Sequence, residues 1–255
     1  MSKDFYIYGK HVVIEALRNN PTTIKRIYIK DSGKQSGFDE IRILAKRNNI
    51  PVNGTTDKQI DQWLKDPVNH QGVIALSKPY DYATLDDYFT SMKESNKLQT
   101  VVILDHIMDV SNVGAIIRSA AGLAVDAIIV AELNQAPITS AVFKTSAGTV
   151  GKVPIIQIGN INQCIEAMKK EKFWVVGLSV LDQYGKPAQT VWEYQFDTNV
   201  AIVIGNEGSG VREKTMEHCD TLLQIPMTND VESLNASVTV GIVAYEILKQ
   251  RSSGK

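Results

Sequence analysis

The sequence predicts an α/β protein, with a small α/β domain over residues 1–79, a linker over 80–99 and a larger domain over 100–250 built on a parallel sheet. Two observations predict it. From Thr100 onward, short and fully apolar runs alternate with helical patterns, as strands of a parallel sheet covered on both faces do. Ahead of Lys78-Pro79, strand-like and helical patterns follow one another closely enough to form a compact unit of their own.

In the first domain, Val12–Leu17 has a helical pattern that ends at the breaker Asn19-Asn20-Pro21. Ile24–Ile29 alternates apolar and polar residues as a strand does. Glu40–Arg47 places Ile41, Leu44 and Ala45 on one helical face, Ile50-Pro51-Val52 opens a short strand, and Gly72–Leu76 is a last apolar run. Ser77–Gln99 sustains no apolar pattern beyond a helical stretch near Leu85–Met92, so it reads as a linker. In the second domain, strands are predicted at Val101–Leu104, Ala127–Val130, Phe173–Leu178, Val200–Ile204 and Leu222–Ile225. Between them lie helical patterns at Val113–Ala121, Ser140–Thr149, Ile161–Lys170 and Gly210–Cys219. A helix over Gly241–Gln250 closes the chain, leaving Arg251–Lys255 as a frayed tail.

Composition narrows the functional classes. A content of 44% hydrophobic and 22% charged residues is ordinary for a soluble globular protein. Cys164 and Cys219 have no metal-ligand spacing, and His11, His70, His106 and His218 are scattered, so no metal is expected. No charged-then-apolar leader opens the sequence and no apolar run approaches the ~18 residues of a membrane span, so the expected location is the cytoplasm. The net charge is only -1, yet residues 1–79 hold thirteen Lys/Arg against eight Asp/Glu. Phosphate contacts need local positive charge rather than a basic whole, so RNA binding is permitted, with Lys10, Arg26 and Arg47 as candidates.

Three loops do not read as scaffold. The first, around Asp109-Val-Ser111-Asn112-Val-Gly114-Ala-Ile-Ile-Arg118, runs from a strand into a helix and holds several capable N-cap residues. Arg118 stands out because Ile116, Ile117, Ala120 and Ala121 surround it, and a permanent cation in an apolar helix has to find an anion or carboxylate. The second, Gly205-Asn206-Glu207-Gly208-Ser-Gly210, directly follows a buried strand, where open α/β sheets bind ligands. Its spacing is neither the dinucleotide fingerprint nor a P-loop. The third runs from Ile225-Pro226-Met227 to Ser233-Leu234-Asn235-Ala-Ser237 and offers more Ser and Asn than one helix cap can use.

Together these loops resemble the three signature motifs of the SpoU/TrmH family of RNA ribose methyltransferases, within the SPOUT superfamily. The matching residues are Asp109, Asn112, Gly114 and Arg118 in the first loop, Gly205 to Gly210 in the second, and Ile225 to Ser237 in the third. Val110 departs from the proline that many members carry there. The N-terminal strings Tyr8-Gly9-Lys10-His11 and His70-Gln71-Gly72-Val73 also resemble the small substrate-binding domain of members that methylate a guanosine ribose in large-subunit rRNA.

The resemblance implies what patterning alone does not: a deep trefoil knot in the C-terminal domain, a break with the rule against threaded chains. It implies S-adenosylmethionine as methyl donor, with Gly205, Ile225, Met227 and Leu234 holding its adenosine part. It places Asn112, Arg118, Glu207, Ser233 and Asn235 around the reacting ribose oxygen, and it implies a homodimer formed through the knotted domain. The expected partner is RNA, 23S rRNA in the first instance. The alternatives are a tRNA guanosine 2'-O-methyltransferase, an inactive knotted RNA-binding protein and, poorly served by the missing fingerprint, a dinucleotide-dependent enzyme.

Overall fold

The computed structural model describes residues 4–31, 37–65, 67–182, 184–206, 208, 210–228 and 233–253. In chain order its elements begin with β1 (Phe5–Tyr8), α1 (Lys10–Asn19), β2 (Ile24–Lys30), α2 (Asp39–Arg47), β3 (Val52–Thr55), α3 (Asp57–Leu64), β4 (Val73–Ser77) and α4 (Leu85–Lys93). They continue with β5 (Thr100–Asp105), α5 (Val110–Gly122), β6 (Ala127–Ala131), α6 (Ser140–Thr145), β7 (Ile155–Ile158), α7 (Ile161–Lys170) and β8 (Phe173–Leu178). The last are β9 (Gln189–Thr190), β10 (Asn199–Gly205), α8 (Glu213–Met216), β11 (Thr221–Gln224) and α9 (Ala236–Ser253). The chain divides into two compact units.

The first unit comprises Met1–Asp81 together with Pro137–Lys152. Its sheet has the order β1-β4-β2-β3, with β2 and β3 parallel and the other pairs antiparallel. Helix α3 starts on a capping box in which the Thr56 hydroxyl accepts from the Gln59 backbone while the Gln59 side chain accepts from Thr56 N–H. Helix α2 carries Asp39 and Glu40 in its first turn and Lys46 and Arg47 in its last, as the helix dipole favours. The segment carrying α6 joins this unit from far along the chain. Phe143 packs its ring 5.9 Å from that of Phe5, and Lys152 pairs with the buried Glu15 at 2.7 Å. Continuity along the chain hides this assignment from the sequence.

The second unit comprises Tyr82–Ala136 and Val153–Lys255. Its sheet runs β7-β6-β5-β10-β8-β11-β9, every pair parallel. Every residue of β5 and β6 is buried, which is why these strands read as unbroken apolar runs. The chain leaves β5 toward β6 and leaves β10 in the opposite direction toward β11. The sheet therefore switches direction between β5 and β10, the place where open α/β sheets bind ligands beyond their carboxyl ends. Helix α9 packs along α5.

Several boundaries differ from the sequence reading. Residues 80–99 carry α4, whose Tyr88 is buried in the core of the second unit, so most of the expected linker belongs to that unit. The Gly210–Cys219 pattern yields only the short α8, because its first residues close the loop after β10. The expected frayed tail is helical through Ser253, and Arg251 anchors it. Strands β1, β7 and β9 and helix α3 lie outside the elements the sequence predicts. Among the described residues no helix is long and apolar enough to cross a membrane.

Candidate active site

The three loops singled out in the sequence gather at the carboxyl edge of the parallel sheet. A cavity of about 360 Å³ opens there beyond the ends of β8, β10 and β11. Gly205, Ile225, Met227 and Leu234 all line it, and so does Ser233. Leucine, valine and isoleucine side chains supply its apolar wall, and the irregular backbone of three strand ends supplies peptide groups able to bond a ligand. That combination, at that volume, suits an adenine ring and its ribose.

Gly205 is required by geometry. A Cβ built there would lie 1.8 Å from the carbonyl carbon of Gly210 and 2.0 Å from the nitrogen of Val211. The backbone thus crosses itself with no room for a side chain. The turn between them is closed by the Gly210 N–H donating to Asn206 O at 2.9 Å, while the Gly208 N–H donates to Asn206 Oδ1 at 3.0 Å. This explains a glycine-rich loop that fits no nucleotide fingerprint: its glycines let one strand end pass against the next segment.

Beside the cavity, the first and third loops are joined directly. Asn235 Nδ2 donates to Asn112 Oδ1 at 2.7 Å, across 123 residues of chain. Asn235 Oδ1 accepts from both the backbone N–H and the hydroxyl of Ser237, so the same side chain caps α9. Asn112 is buried near the start of α5, whose cap is Asp109, accepting from the Ser111 N–H and hydroxyl at 2.7 Å each. Those two bonds from Ser111 hold the Asp109 carboxyl below its ordinary range.

Arg118 requires a correction. It lies on the exposed face of α5 and makes no ion pair or hydrogen bond with a described residue. The helix buries Val113, Ile116, Ile117 and Ala120 on one side, and the intervening position 118 turns outward. Neighbours in sequence are not neighbours on a helical face, so its apolar surroundings imposed no anion. Glu207 lies outside the described residues.

Sequence reasoning missed Leu178, Ser179 and Val180, which line the cavity from the end of β8; Thr239, in the Ser- and Asn-rich start of α9, lines it too. Only the strand order brings β8 next to β10, so no spacing in the chain points to the first three. Among the described residues, no three His, Cys, Asp or Glu side chains converge as a metal site would require. Cys164 and Cys219 are both buried, and burial pushes each thiol up to about 12.

A model of the SpoU rRNA methylase family matches residues 99–245, and one described as RNA 2'-O ribose methyltransferase substrate binding matches residues 6–83. A relative in Staphylococcus saprophyticus, named as a TrmH-family tRNA/rRNA methyltransferase, is 34% identical over 98% of this chain and 97% of its own. The AdoMet-bound rRNA methyltransferase of Sinorhizobium meliloti superposes with a TM-score of 0.77 at 21% identity, covering 96% of this chain and 87% of that one. The TrmH/SpoU tRNA-modifying enzyme of A. aeolicus superposes with a TM-score of 0.55 at 25% identity, over 67% of this chain and 85% of that one.

Proposed function

This chain belongs to the SpoU rRNA methylase family of RNA 2'-O-ribose methyltransferases, and from that premise we propose that it moves the methyl group of S-adenosylmethionine to the 2'-hydroxyl of a guanosine in 23S rRNA. The observation that carries the reading is the single cavity that Gly205, Ile225, Met227, Leu234 and Ser233 line together, with the Asn112–Asn235 pair beside it. When bound, S-adenosylmethionine supplies a sulfonium-activated methyl group, so the protein's own residues have only to position the acceptor oxygen beside a group that takes its proton.

In this reading Gly205, Ile225, Met227 and Leu234 hold the adenosine part, and Asn112, Ser233 and Asn235 orient the ribose. Arg118 and Glu207 act as a positioning pair. The exposure of Arg118 suits a phosphate or hydroxyl anchor, since a guanidinium scarcely gives up its proton and makes a poor base. A neighbouring RNA phosphate then takes the hydroxyl proton. If Arg118→Ala methylates at the wild-type rate, this role is wrong.

Ribosomal RNA is favoured over tRNA by extent of match. The rRNA enzyme of Sinorhizobium meliloti aligns with nearly the whole chain, whereas the A. aeolicus tRNA enzyme aligns with about two thirds. The trefoil knot and the dimer belong to the same proposal. The close crossing of Gly205 and Gly210 supports the first; exposed Trp192, Val238 and Tyr245 around a groove beside α9 support the second. The cytoplasm, where ribosomal RNA is processed, is the location that follows.

The deciding experiment is mass-spectrometric mapping of ribose methylation in rRNA and tRNA from a strain lacking this protein. One 2'-O-methylguanosine should vanish from 23S rRNA and return on complementation. A loss confined to tRNA would replace the substrate, and unchanged methylation in both would remove the proposal.

A further inference from the structure

On the same edge of the parallel sheet, beyond the ends of β5, β6 and β7, lies a second cavity of about 440 Å³. Three strand spacings, ~14 Å, separate the middle strand of this group, β6, from β8, the middle strand of the first cavity's group. Its lining includes His106, Asn162, Arg212, Lys214 and Thr215.

Two observations mark it as built for a ligand. The first concerns hydrogen bonding. Thr215 is 1% exposed, yet its hydroxyl has no protein partner; Asn162 Oδ1 is also buried without one. Gln135 Nε2, in the loop that supplies Asn134 to the cavity wall, is the third such atom among the described residues. Buried polar atoms left unpaired cost roughly 1–3 kcal/mol each, and all three belong to segments around this one cavity, where a rotation of the Thr215 and Asn162 side chains would turn their polar atoms toward an occupant.

The second observation concerns charge. Asp105 is fully buried at the end of β5, and its Oδ1 accepts from Arg212 Nε at 2.9 Å, with His106 Nδ1 2.8 Å away on the same oxygen. Asp105 Oδ2 accepts from the Arg212 backbone N–H at 3.1 Å. The guanidinium is thus held through one edge, and neither Nη is bonded to a described residue. This is how a protein prepares an arginine fork for a phosphate. Lys214 adds a second permanent cation, against one carboxylate in the lining, Glu213. Leu133, 71% exposed, forms an apolar shelf at the same wall.

We propose that this cavity holds a single-stranded nucleotide of the RNA substrate, near but distinct from the one that is methylated. The phosphate sits on Arg212 and Lys214, the base lies against Leu133, and the base edge bonds to Asn162 and Thr215. RNA sequence is read in this way, from unstacked bases whose edges are free. The inference rests on the RNA methyltransferase reading and adds to it a specificity subsite.

The test uses the full-length protein and a short mixed-sequence single-stranded oligoribonucleotide, with RNA affinity followed by fluorescence anisotropy at several salt concentrations. S-adenosylmethionine affinity is measured by calorimetry on the same samples. Asn162→Ala and Thr215→Val should each weaken RNA binding about 10-fold, and Lys214→Ala should lower the salt slope by about one, all with S-adenosylmethionine affinity unchanged. Wild-type RNA affinity and salt slope in all three variants would overturn the proposal. So would parallel loss of both affinities, because the cavity would then be acting through the fold. Failure of the methyl-transfer reading registers separately, as a wild-type protein that binds no S-adenosylmethionine.

Discussion

Where β5 and β10 begin, Arg251 donates to five oxygens: the carbonyls of Phe196, Leu98, Gln99 and Thr198 and the hydroxyl of Thr100. Where the same strands end, Arg212 commits only its Nε and its backbone N–H, both to Asp105. One edge of the sheet uses its arginine completely, and the other holds an arginine in place with its outer nitrogens open. The three buried polar atoms without partners among the described residues also lie near the second edge. The strand polarity that closes one end of the sheet as scaffold therefore leaves the other end free for chemistry.

The largest effect expected from breaking this contrast is at Gly205. Gly205→Ala forces a Cβ to within 2.0 Å of backbone at Gly210 and Val211, so the loop has to open. Calorimetry should show S-adenosylmethionine affinity falling more than about 100-fold, or about 2.7 kcal/mol. Unchanged affinity would mean that the crossing does not shape the cavity. Next is Arg212→Ala, which leaves the fully buried Asp105 carboxylate without its cation. Urea denaturation should show a loss of about 3 kcal/mol, whereas Asp105→Ala, which leaves only a half-exposed guanidinium behind, should cost less and show strong coupling to it in a double-mutant cycle.

Arg251→Ala sharpens the comparison from the other side. It removes charge-assisted bonds from the strand starts and should cost about 2 kcal/mol, read as a lower Tm with S-adenosylmethionine affinity intact. The smallest effect on stability is expected at Asn235→Ala, about 1 kcal/mol for the lost cap of α9. Its methyl-transfer rate should nonetheless fall about 100-fold, because Asn112 loses a partner that helps to orient it. A variant with normal turnover would separate the Asn112–Asn235 bond from catalysis.

What the sequence disclosed follows from where each signal is stored. Val101–Leu104 and Val200–Ile204 were legible because strands buried on both faces carry no polar residue. β7 was not, since Ile155–Ile158 is four residues long and includes an exposed Gln157. The glycine-rich loop and the Ser-Asn run were visible because each is local. Arg118 was misread because sequence neighbours were taken for spatial ones. The second cavity was invisible. Its wall is drawn from segments near His106, Leu133, Asn162 and Thr215, and only the strand order β7-β6-β5-β10 brings them together.

The two buried cysteines have a practical consequence. With both thiols buried and pushed up to about 12, the native protein should consume maleimide or aromatic disulfide reagents far more slowly near neutral pH than an exposed thiol does. A single engineered thiol, such as Lys214→Cys on the exposed surface, would then be the first to react. The molecule is ready for a fluorophore or spin label without first having its own sulfur chemistry removed.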